Sequence, residues 1–184
     1  VLAQTFPDQT AYNIQFSVRF DGVLDQSDLA GALGSILRRH EALRTVIAQE
    51  HGQPMARVRG FTAPQLDAVD LRELEVVQAE LAADRLTVAQ AAQPFDLAQG
   101  PLYRFTLVRL GDQRHRLLVT VHHIVFDGRS IHVFCRDLVD HYRRIQEGRP
   151  EPDGADEIQY RDWSAWREGP GADGDGAALE YWRD

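Results

Sequence analysis

Lysine is absent from this 184-residue chain: all 20 of its Lys/Arg side chains are arginines. Schiff-base catalysis by a lysine of this chain is therefore excluded. Together with abundant Ala, Gly and Asp, the bias is what codon usage in a GC-rich bacterial genome produces. Cysteine is nearly as scarce. Cys135 stands alone, so no internal disulfide can form, which fits a reducing, cytoplasmic setting. No apolar run approaches the roughly 18 to 20 residues that span a bilayer. The N-terminus has no basic region followed by an apolar block, so neither a membrane span nor a secretory signal is expected. An excess of positive charge is also missing. The formal net charge is -8, which leaves no clustered basic face for nucleic acid or an anionic membrane. HExxH and paired CxxC spacings do not occur, so no metal site is expected. What remains is a chain that is 43% hydrophobic, enough to build a core in one domain or one large lobe of a bigger protein.

Hydrophobic periodicity lays out the elements. Residues 11–20 alternate as a strand, with Tyr12, Ile14, Phe16, Val18 and Phe20 on one face. Asp25, Ser27 or Asp28 can cap a helix whose apolar stripe is Leu29, Leu33, Ile36 and Leu37, running to about His40. Residues 44–48 read as a strand, 49–53 as a hairpin turn and 55–58 as its return. Residues 71–93 read as a long helix with Leu74, Val77, Leu81 and Leu86 on its buried side, stopped by Pro94. Residues 102–110 and 116–122 are two strands joined by Gly111-Asp112-Gln113. A helix follows, with Ile131, Phe134, Leu138, Tyr142 and Ile145 on one face, ended by Gly148 and Pro150. A polar connector (151–157), a short helix carrying Tyr160, Trp163 and Trp166, a Gly/Asp stretch (169–176) and an element beginning at Leu179 complete the chain. The order predicts an α/β fold, a two-layer sandwich with a mixed β-sheet and helices.

The densest chemistry lies where the strand at 116–122 gives way to the helix, at His122-His123-Ile124-Val125-Phe126-Asp127-Gly128. Consecutive strand side chains point to opposite faces, so His122 and His123 divide their labour. One is expected to be a hydrogen-bonded post inside the protein and the other to reach outward. Asp127 lies just past the bend, where it can cap the helix or pair with an arginine, and Gly128 is expected to let the backbone turn without a Cβ clash. A second cluster, Arg39-His40-Glu41-Ala42-Leu43-Arg44-Thr45, sits where a helix hands over to a strand. Taken alone it is a basic helix C-terminus that complements the helix dipole.

Together these stretches resemble the HHxxxDG and RHExLRT motifs of nonribosomal peptide synthetase condensation domains, members of the chloramphenicol-acetyltransferase-like superfamily. Thr10-Ala11-Tyr12-Asn13-Ile14, Pro94-Phe95-Asp96-Leu97 with Gly100-Pro101-Leu102, and Tyr181-Trp182 follow the family in order. The resemblance covers essentially the whole chain and implies the N-terminal, donor-side lobe over residues 1–184. The family's first motif is missing, since Ala3-Gln4 lacks matching context, so the expectation is a fragment without that motif and without the C-terminal lobe.

By the same resemblance, such a lobe helps join a donor acyl or peptidyl thioester to an acceptor aminoacyl thioester. Both are carried on phosphopantetheine arms of carrier proteins, and the lobe itself binds no cofactor. Implied partners are those carrier domains, the C-terminal lobe and a neighbouring adenylation domain. His123 corresponds to the histidine at the reaction centre and His122 to the structural one. Asp127 corresponds to the acid that holds the site through an arginine, with Arg39 and Arg44 as candidates, and Gly128 frames the turn. The isolated lobe is expected to be inactive. An epimerising or other acyltransferase relative, or a non-catalytic carrier-docking lobe, are the alternatives. Acids in place of the histidines would mark the heterocyclising class, and this chain has none there. It does depart from the family at Arg129, where Trp is frequent.

Three other constellations stand beside the motif. Cys135 and His132 share a helix face, but nothing suggests an activated thiolate. Ser130 with His123 and Asp127 invites a triad, yet Ser130 is better read as a helix cap or first-turn residue. Tyr160, Trp163 and Trp166 are expected to seal a core.

Overall fold

The structure is a computed structural model that describes residues 10–150 and 158–168. Ala3-Gln4, the 151–157 connector, the 169–176 stretch, the element from Leu179 and Tyr181-Trp182 lie outside the described residues. The chain forms two compact units, Val1–Pro152 and Asp153–Asp184.

In the first unit, β1 (Asn13–Asp21), β4 (Leu66–Asp70), β5 (Tyr103–Gly111) and β6 (Arg114–His122) form one sheet in the order β1-β6-β5-β4. β6 runs antiparallel to both neighbours, while β4 lies parallel to β5, so the sheet is mixed. β2 (Thr45–Glu50) and β3 (Gln53–Val58) make a separate hairpin. Its two-residue turn, His51-Gly52, has φ of 51° and 79°, the backbone twist that a tight antiparallel hairpin needs.

Strand alternation sorts the core. Tyr103, Phe105, Leu107, Leu117, Val119 and Val121 face one side with Ile14, Phe16 and Val18. There they meet α1 (Gln26–Arg39) and α3 (Gly128–Gln146) through Leu29, Leu33, Ile36, Leu37, Phe134 and Leu138. Each large apolar side chain removed from water contributes about 1.5–3 kcal/mol. Asp25 caps α1: its carboxylate accepts the Ser27 and Asp28 amides at 2.7 and 3.0 Å. Gly148, at φ 63°, ends α3 in the left-handed conformation that glycine adopts without strain.

The opposite face carries α2 (Val76–Ala91), and here the sequence expectation fails. The helix starts five residues later than expected. Leu74, Val77 and Leu81 are exposed, and only Leu86 of the expected stripe is partly buried. The residues turned to the sheet are Ala79 and Ala83, against Val108, Leu110 and Leu118. Small side chains let the helix sit close, and polar ties do the rest. Arg116 of β6 reaches up to Glu80 and Asp84, Gln15 of β1 donates to the Thr87 carbonyl, and Gln90 donates to the Thr106 hydroxyl.

Two further differences concern short elements. A 3-10 turn, Glu41–Arg44, stands between α1 and β2, and β4 was not expected at all. In the second unit, α4 (Tyr160–Glu168) has Tyr160 and Trp163 in ring contact at 5.5 Å. Both remain exposed, as does Trp166, so the aromatic stripe does not seal a core among the described residues.

Candidate active site

β6 is an interior strand, and its pairing on both sides fixes where the two histidines point. The His122 amide donates to Leu102 O at 3.0 Å on the β5 side, and the His123 amide donates to Tyr12 O at 2.8 Å on the β1 side. Opposite backbone directions put the side chains on opposite faces. His122 is 6% exposed, whereas His123 is open to solvent. The chain then bends: the Val125 amide donates to His122 O at 3.1 Å and the Phe126 amide to His123 O at 3.4 Å. Phe126 anchors the bend in the core, stacked on Phe16 at 5.8 Å and edge-on to Phe134 at 6.3 Å.

The His122 ring is part of the bend. Its Nδ1 accepts the Ile124 amide at 3.1 Å, which places the ring proton on Nε2. Tyr12 and Phe95 lie against it at 6.1 and 6.3 Å between ring centroids. Burial, and secondarily the charge of neighbouring His123, push its pKa below the ordinary histidine value. An Nδ1 that accepts the Ile124 amide requires the neutral ring, and burial favours the same form.

Asp127 is the N-cap of α3. Its Oδ1 accepts the Ser130 amide at 2.8 Å and the Ser130 hydroxyl at 2.7 Å, while its own amide donates to Ser130 Oγ at 3.2 Å. This is a capping box, and the Ser130 hydrogen bonds hold the carboxyl below the usual carboxylate range. The expected arginine pairing is not made. Asp127 is exposed and bonds to Ser130, so Asp127→Ala strands no buried cation. The substitution is expected to cost about 1 kcal/mol, the worth of a cap, read as a modest drop in urea midpoint. Failure to fold would contradict this assignment. The reason expected for Gly128, a turn that a Cβ would obstruct, is not met. It is the first residue of α3, its φ is not left-handed, and an added Cβ would meet nothing within 4 Å.

The two candidate arginines support the scaffold elsewhere. Arg44 donates to Leu37 O at 2.8 Å and Arg38 O at 3.4 Å, satisfying the last carbonyls of α1, and to Arg59 O at 2.6 Å. Arg39 lies 3.7 Å from Asp137 of α3. Asp137, 3% exposed, is the residue that sequence reasoning missed. It accepts from His40 Nε2 at 2.7 Å and from Arg136 at 2.8–2.9 Å. The Arg-His pair of the second cluster thus pins the end of α1 to the middle of α3. An acid between Arg136 and Leu138 on a helix carried no spacing signal that would have exposed this.

Sequence comparison matches residues 1–184 to the condensation domain family. The chain belongs to that family. It is 38% identical over 167 residues to the chondramide synthase cmdD of Chondromyces crocatus, covering 91% of this chain and 4% of that protein. It is 36% identical over 184 residues to phosphinothricin tripeptide synthetase PhsC of Streptomyces viridochromogenes, covering 100% and 17%. Among solved structures, the first condensation domain of the CDA synthetase aligns with a TM-score of 0.78 at 26% identity, over 91% of this chain and 44% of that one. SgcC5 from Streptomyces globisporus aligns with a TM-score of 0.78 at 26% identity, over 96% and 40%. The chain therefore spans less than half of these solved structures and a small fraction of the synthetases. Its fold is the chloramphenicol-acetyltransferase-like fold of these neighbours.

Within this condensation domain chain, the other constellations resolve simply. Ser130 is engaged with Asp127, which accounts for its hydroxyl without a triad. Cys135 is half-buried and burial pushes its thiol pKa up, the reverse of activation. Among the described residues no group of three or more His, Cys, Asp or Glu could hold a metal, and no helix is long and apolar enough to cross a membrane. Two hollows flank the site. An apolar one of about 170 Å³ is lined by Ile36, Leu43, Val125, Phe126, Asp127 and Val133. A larger cleft of about 840 Å³ has Arg44, Arg59, Phe61, Phe95 and Tyr103 among its walls.

Proposed function

We propose that this chain is the donor-side lobe of an amide-forming condensation domain. In this reading a donor acyl or peptidyl thioester and an acceptor aminoacyl thioester arrive on the phosphopantetheine arms of separate carrier proteins. A second lobe completes the channel between them, and an adenylation domain adjoins it in a cytoplasmic synthetase. The lobe itself holds no cofactor. The observation that carries the reading is an exposed His123 on a bend whose backbone is bonded to strands on both sides, with neutral His122 behind it.

The acceptor amine attacks the donor carbonyl carbon and a C–N bond forms. The tetrahedral species collapses with cleavage of C–S, and the amine proton leaves with the thiolate as a thiol. An α-amino group has a reference pKa near 7.7–8.0, so freeing its lone pair at neutral pH costs only about 1 kcal/mol. General-base catalysis supplies typically about 10²- to 10⁴-fold, while positioning of two reactants removes roughly 7–11 kcal/mol. His123 therefore acts chiefly by orienting the amine and stabilising the zwitterionic tetrahedral species, with proton removal secondary.

The test is incubation of the full-length protein with loaded donor and acceptor carrier proteins, followed by mass analysis of the tethered product. An amide on the acceptor carrier is expected. Inversion of the donor residue without transfer would favour an epimerising relative. Carrier binding without any chemistry would favour a docking lobe.

A further inference from the structure

The segment after α2 is held from two strands at once. Asn13 of β1 donates its side-chain amide to the carbonyls of Ala91 at 2.8 Å and Gln93 at 2.9 Å. Arg104 of β5 donates to Gln93 O at 3.0 Å and to Pro94 O at 2.5 Å. The Gln93 carbonyl thus takes one donor from each strand flanking β6. The next aromatic side chain, Phe95, is 7% exposed and meets the His122 ring edge-on, with the planes at 87°. The Arg104 guanidinium covers the Phe95 ring, 3.8 Å from its centroid. A cation over an aromatic face and an edge-on ring pair are both directional contacts, so they fix orientation as well as burying area. His122, so oriented, accepts the Ile124 amide.

The geometry points to Arg104 as a positioning residue for His123: its guanidinium fixes Phe95, Phe95 fixes the His122 ring, and that ring holds the bend from which His123 projects. The inference rests on the role proposed above for His123. In this role Arg104 acts through Phe95 and His122. Its effect is to narrow the range of positions from which the exposed imidazole works.

A structural role alone would lower stability and activity together, whereas a positioning role lowers turnover first. In the full-length protein, Arg104→Met keeps the aliphatic stem and removes the donors and the charge. It is expected to lower kcat about 10- to 100-fold, the scale of a small misplacement, with KM for the carrier-bound substrates within about 2-fold. Phe95→Leu should give a loss of the same size, and the double variant should be no worse than the poorer single one. Arg104→Lys, which keeps the charge but not the planar fork, should recover part of the loss. In ¹⁵N spectra of histidine-labelled protein, the His122 ring should pass from a single Nε2–H tautomer to a mixture in Arg104→Met. Wild-type kcat in Arg104→Met overturns the proposal. So does a parallel fall of kcat and urea midpoint with an unchanged His122 tautomer. If Arg104→Met does not fold, Phe95→Leu carries the same kcat and tautomer expectations by itself. Full activity of His123→Ala would overturn the reading of His123 alone, since the His122 tautomer still reports on the Arg104 linkage.

Discussion

His123→Ala in the full-length protein is expected to cut product formation by at least about 10²-fold and to leave the melting profile unchanged. The two halves of that result come from the same geometry. The His123 ring stands in solvent, so its removal empties no cavity and strands no buried polar group. What the residue contributes to the bend is backbone: its amide donates to Tyr12 O at 2.8 Å and its carbonyl accepts from Phe126 at 3.4 Å, and alanine keeps both. All of the damage should therefore fall on chemistry. The loss should appear in kcat rather than in carrier-protein KM if orientation of the amine dominates. Peptide yield at the wild-type level would end the proposal that this imidazole serves the reaction. Aggregation or a lowered melting temperature would show that the ring is packed rather than presented.

Asp137→Ala is expected to lower stability by about 2–3 kcal/mol, on the scale of lost hydrogen bonds to a charged group. The carboxylate is nearly inaccessible at 3% exposure and receives His40 at 2.7 Å, with Arg39 close behind at 3.7 Å. Arg136 is two-thirds exposed and adds little. An ionised carboxylate only accepts, so His40 donates its Nε2 proton whether or not the ring is charged. Burial alone would raise the Asp137 pKa, but hydrogen bonds from His40 and Arg136, with the Arg39 charge, outweigh it and leave the pKa lowered. The linkage has a definite sign. The stabilisation is present above the unfolded value, near 3.9, and is lost as pH falls from there through the lower folded value. Urea midpoints measured from pH 7 down should fall less steeply below about pH 4 in Asp137→Ala than in the wild type. An unchanged midpoint at pH 7 would mean that the α1–α3 clamp is not worth what its geometry suggests.

Much of this was legible in the sequence because periodicity and burial agreed. Leu29, Leu33, Ile36 and Leu37 recur at helical spacing and are fully buried. The alternation in β1, β5 and β6 matches their core faces. α2 defeated the same logic. Large apolar residues are assumed to point inward, yet Leu74, Val77 and Leu81 point out, because the sheet side is taken by alanines and by the reach of Arg116 to Glu80 and Asp84. β4 is five residues long and half exposed, and its definition comes from its parallel partner β5, residues distant in sequence. At the site, the opposed histidines follow from strand geometry. The Asp127 cap is local and was foreseeable, whereas the partners of Arg39 and Arg44 were not. Asp137 is brought to Arg39, and the Arg59 carbonyl to Arg44, only by tertiary folding.

The alternation along β6 also constrains its length. Parity decides which imidazole is hidden, and it is enforced by nine residue pairs with β1 on one side and a ladder with β5 on the other. A single inserted residue between Arg114 and His122 would have to bulge out of the sheet or exchange the two rings, burying the exposed one. Two inserted residues would restore the pattern. Length variation in this strand is therefore expected in even steps, or in odd steps that carry a bulge, a rule that can be read from related chains without knowing what any of them makes.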